Sequence, residues 1–196
     1  MNLPIKTSPV INVIDIEASG FGPDSYPIEI GIAMADGSEY QTLVRPEPEW
    51  WHWDRDAQSV HGISRADLFK YGRPIGHVCR DINRLCAGAT LYSDCWVHDS
   101  RWFRRLFDTA EIPALAQCKA IEYLLNDELQ VVYQVAKRRV ASQLGLPMHR
   151  ALNDATIIQQ TLEKLIGKSA IEPIEILQPV IASAALQERQ MIMKWA

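Results

Sequence analysis

No stretch of the chain approaches the roughly 18 consecutive apolar residues that a membrane-spanning helix needs. No membrane partner is expected. The four cysteines, Cys79, Cys86, Cys95 and Cys118, make no C-x-x-C pair and no Cys/His cluster at zinc spacing. That pattern excludes a disulfide scaffold and a zinc module. The first eight residues, M-N-L-P-I-K-T-S, carry no charged-then-apolar export pattern. Reduced thiols in a cytoplasmic setting are therefore the expectation. Positive charge is also short: Lys and Arg total 20 against 24 Asp and Glu, a net charge of −4. Such a balance provides no broad basic surface for gripping long nucleic acid. An acidic protein can still handle a phosphate chain where bound cations supply the local positive charge. Internal repeats, low-complexity segments and linkers are missing as well. With 196 residues, 47% of them hydrophobic, the chain is long enough for one domain with a sizeable core. That domain is placed in residues 1–167, with residues 168–196 as its C-terminal helical extension.

What the chain does have is organised around residues 10–17, V-I-N-V-I-D-I-E. A short β-branched run of this kind reads as a strand buried on both faces. It ends in Asp15 and Glu17, two residues apart, so both side chains point the same way. Two adjacent carboxylates at the end of a buried strand repel each other. They are tolerated if a cation lies between them, or if the strand has ended and water covers both.

A turn follows at 18–23. Residues 27–35 alternate and read as a second strand, Asp36-Gly37 as a two-residue hairpin signal, and residues 40–44 as a third strand. The result is an antiparallel meander with the acids on its first strand. Trp50, Trp51 and Trp53 surround His52 in a segment read as a loop. Aromatics there cover a core or contact a partner in preference to stacking on bases. Ser64 is a good N-cap for a short helix over 65–69. His61, beside Gly62, either faces a ligand or shapes a turn. Residues 74–86 have a helical pattern with Pro74 at the first position, and 89–93 read as an inner strand reached by a crossover, hence a parallel pairing.

The spacing predicts a helix over 98–108 with Trp102, Phe103, Leu106 and Phe107 inward. Asp99 shares that inward face, and an N-cap aspartate explains its place equally well. Asn126 opens a longer helix that Gly145 and Pro147 close. On it, Lys137-Arg138-Arg139 reads as a solvated face, with phosphate contact as the lesser alternative. The last strong helix covers about 150–166. Asp154 falls on its apolar stripe and so needs a partner, and His149 stands at its mouth. A further helix is expected over 183–195.

Asp15, Glu17, Asp99 and Asp154 thus have reasons to face one place, with a titratable histidine near the fourth. Carboxylate oxygens select hard cations such as Mg²⁺ or Mn²⁺. Several carboxylates around such ions match a two-metal site for in-line displacement at phosphorus. A histidine can take the proton of the attacking water.

Three segments carry a family resemblance. Asp15-Ile16-Glu17 resembles the D-x-E first motif of the DEDDh, or DnaQ-like, 3′–5′ exonucleases. Residues 94–103, D-C-W-V-H-D-S-R-W-F, resemble the second, an aspartate followed by an aromatic pair. His149-Arg150-Ala151-Leu152-Asn153-Asp154-Ala155 resembles the third, H-x-A-x-x-D-A. The likeness runs in order through residues 9–167. It departs at Ala18-Ser19-Gly20, where Thr-Thr-Gly is frequent, and at Cys95-Trp96-Val97-His98, which leaves Asp94 as a fallback for Asp99. The resemblance implies an α/β, RNase H-like mixed sheet: an antiparallel three-strand meander plus parallel inner strands, flanked by helices. It implies two divalent cations, Mg²⁺ or Mn²⁺, on Asp15, Glu17, Asp99 and Asp154, with His149 as general base. It also implies release of nucleoside 5′-monophosphates from a DNA or RNA 3′ end.

Ala18, Ser19, Gly20, Phe21, His61, Gly62 and Ile63 are candidate contacts to the terminal nucleotide of a single-stranded or frayed end. A homodimer stays open as a further partner. Two other classes also stay open: a catalytically idle nucleic-acid-binding module on the same fold, and a purely structural interaction protein. The latter would have to accommodate core-facing carboxylates with no counter-ion.

Overall fold

The computed structural model describes residues 10–169. The helix expected over 183–195, and with it most of the C-terminal extension, lies outside the described residues. Five strands form one sheet: β1 (Asn12–Ala18), β2 (Pro27–Ala33), β3 (Glu39–Leu43), β4 (Thr90–Ser93) and β5 (Gln117–Ala120). Their order is β3-β2-β1-β4-β5. The β3-β2-β1 meander is antiparallel, and β1-β4 and β4-β5 pair in parallel. Six α-helices and one short 3-10 helix (Ile121–Tyr123) complete the described chain: α1 (Arg55–His61), α2 (Arg65–Tyr71), α3 (Ile75–Cys86), α4 (Trp96–Thr109), α5 (Asp127–Leu144) and α6 (Ala151–Ser169). The mixed α/β architecture expected from the sequence is therefore present.

Alternation sorts the strand side chains onto two cores. Ile14 and Ile16 of β1, with Ile28, Ile30 and Ile32 of β2, pack against α3, α4 and Trp50. Val13 of β1 and Ala33 of β2 face Ala155, Ile158 and Leu162 of α6. Burying each large aliphatic side chain is worth about 1.5–3 kcal/mol relative to exposure. Asp15 and Glu17 share the Val13 face, so the strand directs them to the α6 side.

The second strand is buried at all seven positions rather than alternately. Its α6-facing residues are Glu29, Gly31 and Ala33. Gly31 lets the helix touch the sheet: a Cβ there would stand 2.1 Å from the carbonyl carbon of Ala151. The hairpin after β2 is wider than the two-residue turn read at Asp36-Gly37. Its loop closes between Met34 and Ser38, because the Asp36 carboxylate accepts bonds from the Ser38 N–H and hydroxyl.

Other boundaries moved for physical reasons. Helix α1 occupies a segment read as loop; Asp54 caps its start and Gly62, at φ 70°, ends it. Pro74 is the residue before α3 rather than its first position. Helix α4 begins at Trp96, so Asp99 lies inside its first turn and is not an N-cap. Strand β5, with sequence Q-C-K-A, has no β-branched residue to announce it; it extends the parallel side through β4. Trp50 is buried and stacks on Tyr26 at 5.0 Å, in keeping with a core role, whereas Trp51 is exposed.

Candidate active site

The cleft opens at the C-terminal end of β1, where that strand stops pairing with β4 and bulges against β2 between Glu17 and Ala18. Asp15 and Glu17 line it from the strand, Asp99 from the first turn of α4, Asp154 from the first turns of α6, and His149 from the loop before α6. All five predicted metal or catalytic positions thus meet in one recess of about 270 Å³.

The arrangement concentrates negative charge where water is scarce. Burial, then the charges of Asp99, Asp154 and Glu17, push the Asp15 carboxyl well above its ordinary range. Burial and the nearby Asp154 and Glu29 push Glu17 up to about 7, against a smaller lowering by Arg150. Asp99 is 1% exposed. Burial raises it to about 8 even though the Ser93 hydroxyl donates a hydrogen bond to it. Asp154 is raised by burial as well, with the His149 N–H opposing. One common cause explains all four: ionised carboxylates packed together out of water without enough positive charge.

Asp154 supplies a direct test of fit to a cation. Its Oδ2 accepts the His149 backbone N–H at 2.7 Å. Its Oδ1 is buried and has no hydrogen-bond partner among the described residues. A buried carboxylate oxygen left open toward other carboxylates suits a hard cation. Ligand atoms of Glu17, His149 and Asp154 lie within 4.8 Å of one another, close enough for one ion to bridge.

The mouth of α6 is pinned by an acid that the strand pattern alone does not mark as functional. Glu29, directly across from Glu17 on β2, is 1% exposed. Its carboxylate accepts from Arg150 Nε and a terminal guanidinium nitrogen, from the Ala151 N–H, and from Gln41 Nε2. It therefore closes the first turn of α6 from the sheet. Between this anchor and Gly31, the helix has one seat, and that seat brings Asp154 opposite Asp15 and Glu17. His149 itself sits at φ 62°, its backbone held in the left-handed region by the N–H bond to Asp154.

The expected nucleotide contacts divide. Ala18, Gly20, Phe21 and His61 line the cleft; Ser19, Gly62 and Ile63 do not. Ser19 Oγ instead bonds His52 Nδ1 and the Tyr26 N–H, so it fastens the turn after β1. Gly20, at φ 136°, lies so close to His52 and Asp54 that a Cβ would fall 2.6 Å from the Asp54 side chain. Gly62 ends α1, and Ile63 belongs to the core. Phe21 is 64% exposed at the rim, edge-on to His98. His61 is 6% exposed. Its Nδ1 accepts the Ile63 N–H, which assigns the proton to Nε2. Nε2 is buried without a partner among the described residues. Burial holds this imidazole below its ordinary pKa, so it is a neutral donor.

The sequence pattern puts Lys137 on a solvated face. The structure instead places it in the cleft wall, its ammonium 2.6 Å from Asp94, whose Oδ2 also accepts the Tyr133 hydroxyl. Asp94 is thus a partner of Lys137 and is not among the cleft-lining residues. Tyr133, one turn before Lys137, was the available signal: two polar-tipped side chains at i and i+4 share a face.

No family model matches the chain, and no curated protein matches it. Solved structures do. Exonuclease I of E. coli, in complex with a dA16 oligonucleotide, is 13% identical with a TM-score of 0.59, over 80% of this chain and 41% of that one. The same enzyme in a zinc-bound complex with single-stranded DNA gives 12% and 0.62, over 84% and 41%. A moderately thermophilic exonuclease I from Methylocaldum szegediense gives 14% and 0.59, over 79% and 40%. The chain therefore spans about two fifths of the length of these proteins. At such identities the likeness establishes a shared fold, an α/β fold in common with part of exonuclease I.

Proposed function

We propose that the chain is a metal-dependent 3′–5′ exonuclease acting on single-stranded or frayed DNA or RNA. The observation that carries this reading is the convergence of four mutually repelling carboxylates from β1, α4 and α6 with His149 in one cleft. Asp15, Glu17, Asp99 and Asp154 would hold two divalent cations, Mg²⁺ or Mn²⁺. When bound, such ions activate water and stabilise charge on the phosphate and the leaving oxygen.

The chain's own residues do the rest. His149, exposed at the cleft and tied through its backbone to Asp154, accepts a proton from the attacking water on its imidazole. The Phe21 ring offers one face to a base at the rim. Gly20 keeps the turn after β1 low enough for backbone to approach the sugar. The limited size of the cleft favours an end over the interior of a duplex.

The test is digestion of DNA and RNA oligonucleotides labelled at the 5′ end, with Mg²⁺, Mn²⁺ or EDTA. Stepwise shortening with nucleoside 5′-monophosphate as product is expected only with metal. Asp15→Asn and Asp154→Asn should abolish it with the fold intact, and His149→Ala should lower kcat by roughly 10²–10⁴. Binding of oligonucleotide without cleavage under any of these metals would identify an idle binding module instead.

A further inference from the structure

Lys137 is the one residue of permanent positive charge among those lining the cleft. Its side chain is 17% exposed and that of its partner Asp94 is 9% exposed. An ammonium has three donors. Asp94 is its one hydrogen-bond partner among the described residues, so two donors remain for something that enters the recess. Asp94 is not part of the cleft lining, and the ion pair turns its positive end toward the cleft. Four carboxylates and two divalent cations balance to zero, and the Lys137–Asp94 pair is neutral in itself. A phosphodiester therefore arrives as a single uncompensated negative charge and meets that positive end. Tyr133 fixes the geometry from behind by bonding the same carboxylate oxygen at 2.9 Å.

We infer that Lys137 is a phosphate-binding residue: it donates to a non-bridging oxygen of the nucleotide phosphate while Asp94 and Tyr133 hold its stem in place. This rests on the cleft being a nucleotide site. The competing role is purely structural, with Lys137 serving only to neutralise Asp94.

The experiment is calorimetric titration of the full chain with thymidine 5′-monophosphate in the presence of Mn²⁺, alongside Mn²⁺ titration alone. Lys137→Met leaves Asp94 buried and unpaired and endangers folding, so the decisive variant is Lys137→Met with Asp94→Asn, which removes both charges together. Nucleotide affinity in the double variant should fall by about tenfold to a hundredfold, the worth of one charge-assisted hydrogen bond. Mn²⁺ affinity should change by less than about threefold, because the four acids are untouched. Asp94→Asn alone should bind the nucleotide at least as tightly as the parent, because it releases the ammonium. Equal loss in the double variant and in Asp94→Asn, or wild-type affinity in the double variant, would overturn the assignment. So would a parent chain that binds no nucleotide with Mn²⁺. A parent that binds the nucleotide through Lys137 yet degrades no oligonucleotide would remove the exonuclease reading and leave the phosphate contact standing.

Discussion

Raising the pH of the protein in EDTA from about 4.5 to about 8 should destabilise it, opposite to the behaviour of salt-bridged carboxylates. Glu17 stands at about 7 in the folded chain against an ordinary 4.5. Between those values the folded state keeps a proton that the unfolded state has released. The stabilisation is full below about 4.5 and is lost as pH rises through 7. A difference from 4.5 to about 7 corresponds to about 3 kcal/mol, or roughly 6–12 °C in Tm for a chain of this size. Asp99, raised to about 8, acts in the same direction and carries the effect higher. Asp36 and Asp67, both lowered by hydrogen bonds from serines, contribute stability that is lost only as pH falls below about 4. His61 works against the trend, since burial lowers it and its contribution grows as pH rises toward 6.5. Comparison with Glu17→Gln isolates the carboxyl. The assay is thermal unfolding at steps from pH 4 to 9, in EDTA and in Mg²⁺. The variant should gain on the parent as pH rises, and Mg²⁺ should restore the parent. A gap between parent and variant that stays constant across the range would refute the reasoning.

Two substitutions probe the seat of α6. Gly31→Ala pushes a methyl against the Ala151 backbone and should cost about 3 kcal/mol or more by denaturant unfolding, with weakened Mn²⁺ binding because Asp154 moves with the helix. A loss under about 1 kcal/mol would mean that α6 can lift off the sheet freely. Glu29→Gln keeps the shape but loses the charge that holds Arg150. With the Arg150 side chain 43% exposed, water screens part of the loss, and about 2 kcal/mol is expected. The Glu17 titration, followed by NMR, should shift downward as the neighbouring negative charge disappears; an unmoved titration would contradict the cross-strand coupling.

Much of the site was legible because its residues break a local pattern. Asp15 and Glu17 interrupt a β-branched run, and Asp154 interrupts an apolar helix stripe; each anomaly demands a partner and so points to the cleft. Caps were equally readable: Ser64, Asn126 and Gly145 delimit helices as expected. Glu29 was not legible, since in P-I-E-I-G-I-A it looks like the polar half of an alternating strand, and its partner Arg150 lies 121 positions away. Lys137 was hidden by Arg138 and Arg139, which made a solvated run of three; only the fold shows Asp94 within reach. Helix α1 was masked by the tryptophans before it, although Asp54 and Gly62 mark its ends. Strand β5 takes its conformation from β4 rather than from its own residues, and no local preference announces it.

The seating of α6 on β2 also orders events as the chain is made. The α6-facing side of β2, with its Gly31 groove and the Glu29 carboxylate, has no cover until residues past 150 have left the ribosome. Until then Val13 and Ala33 stand in water on that face beside Asp15, Glu17 and Glu29, and the meander has only one of its two faces packed. The first turns of α6 end that exposure, and those turns, with the loop before them, deliver Asp154 and His149 to Asp15 and Glu17. Completion of the sheet's cover and assembly of the cleft are therefore one late, non-local step, and a nascent chain that stops short of it carries the strand acids without the site.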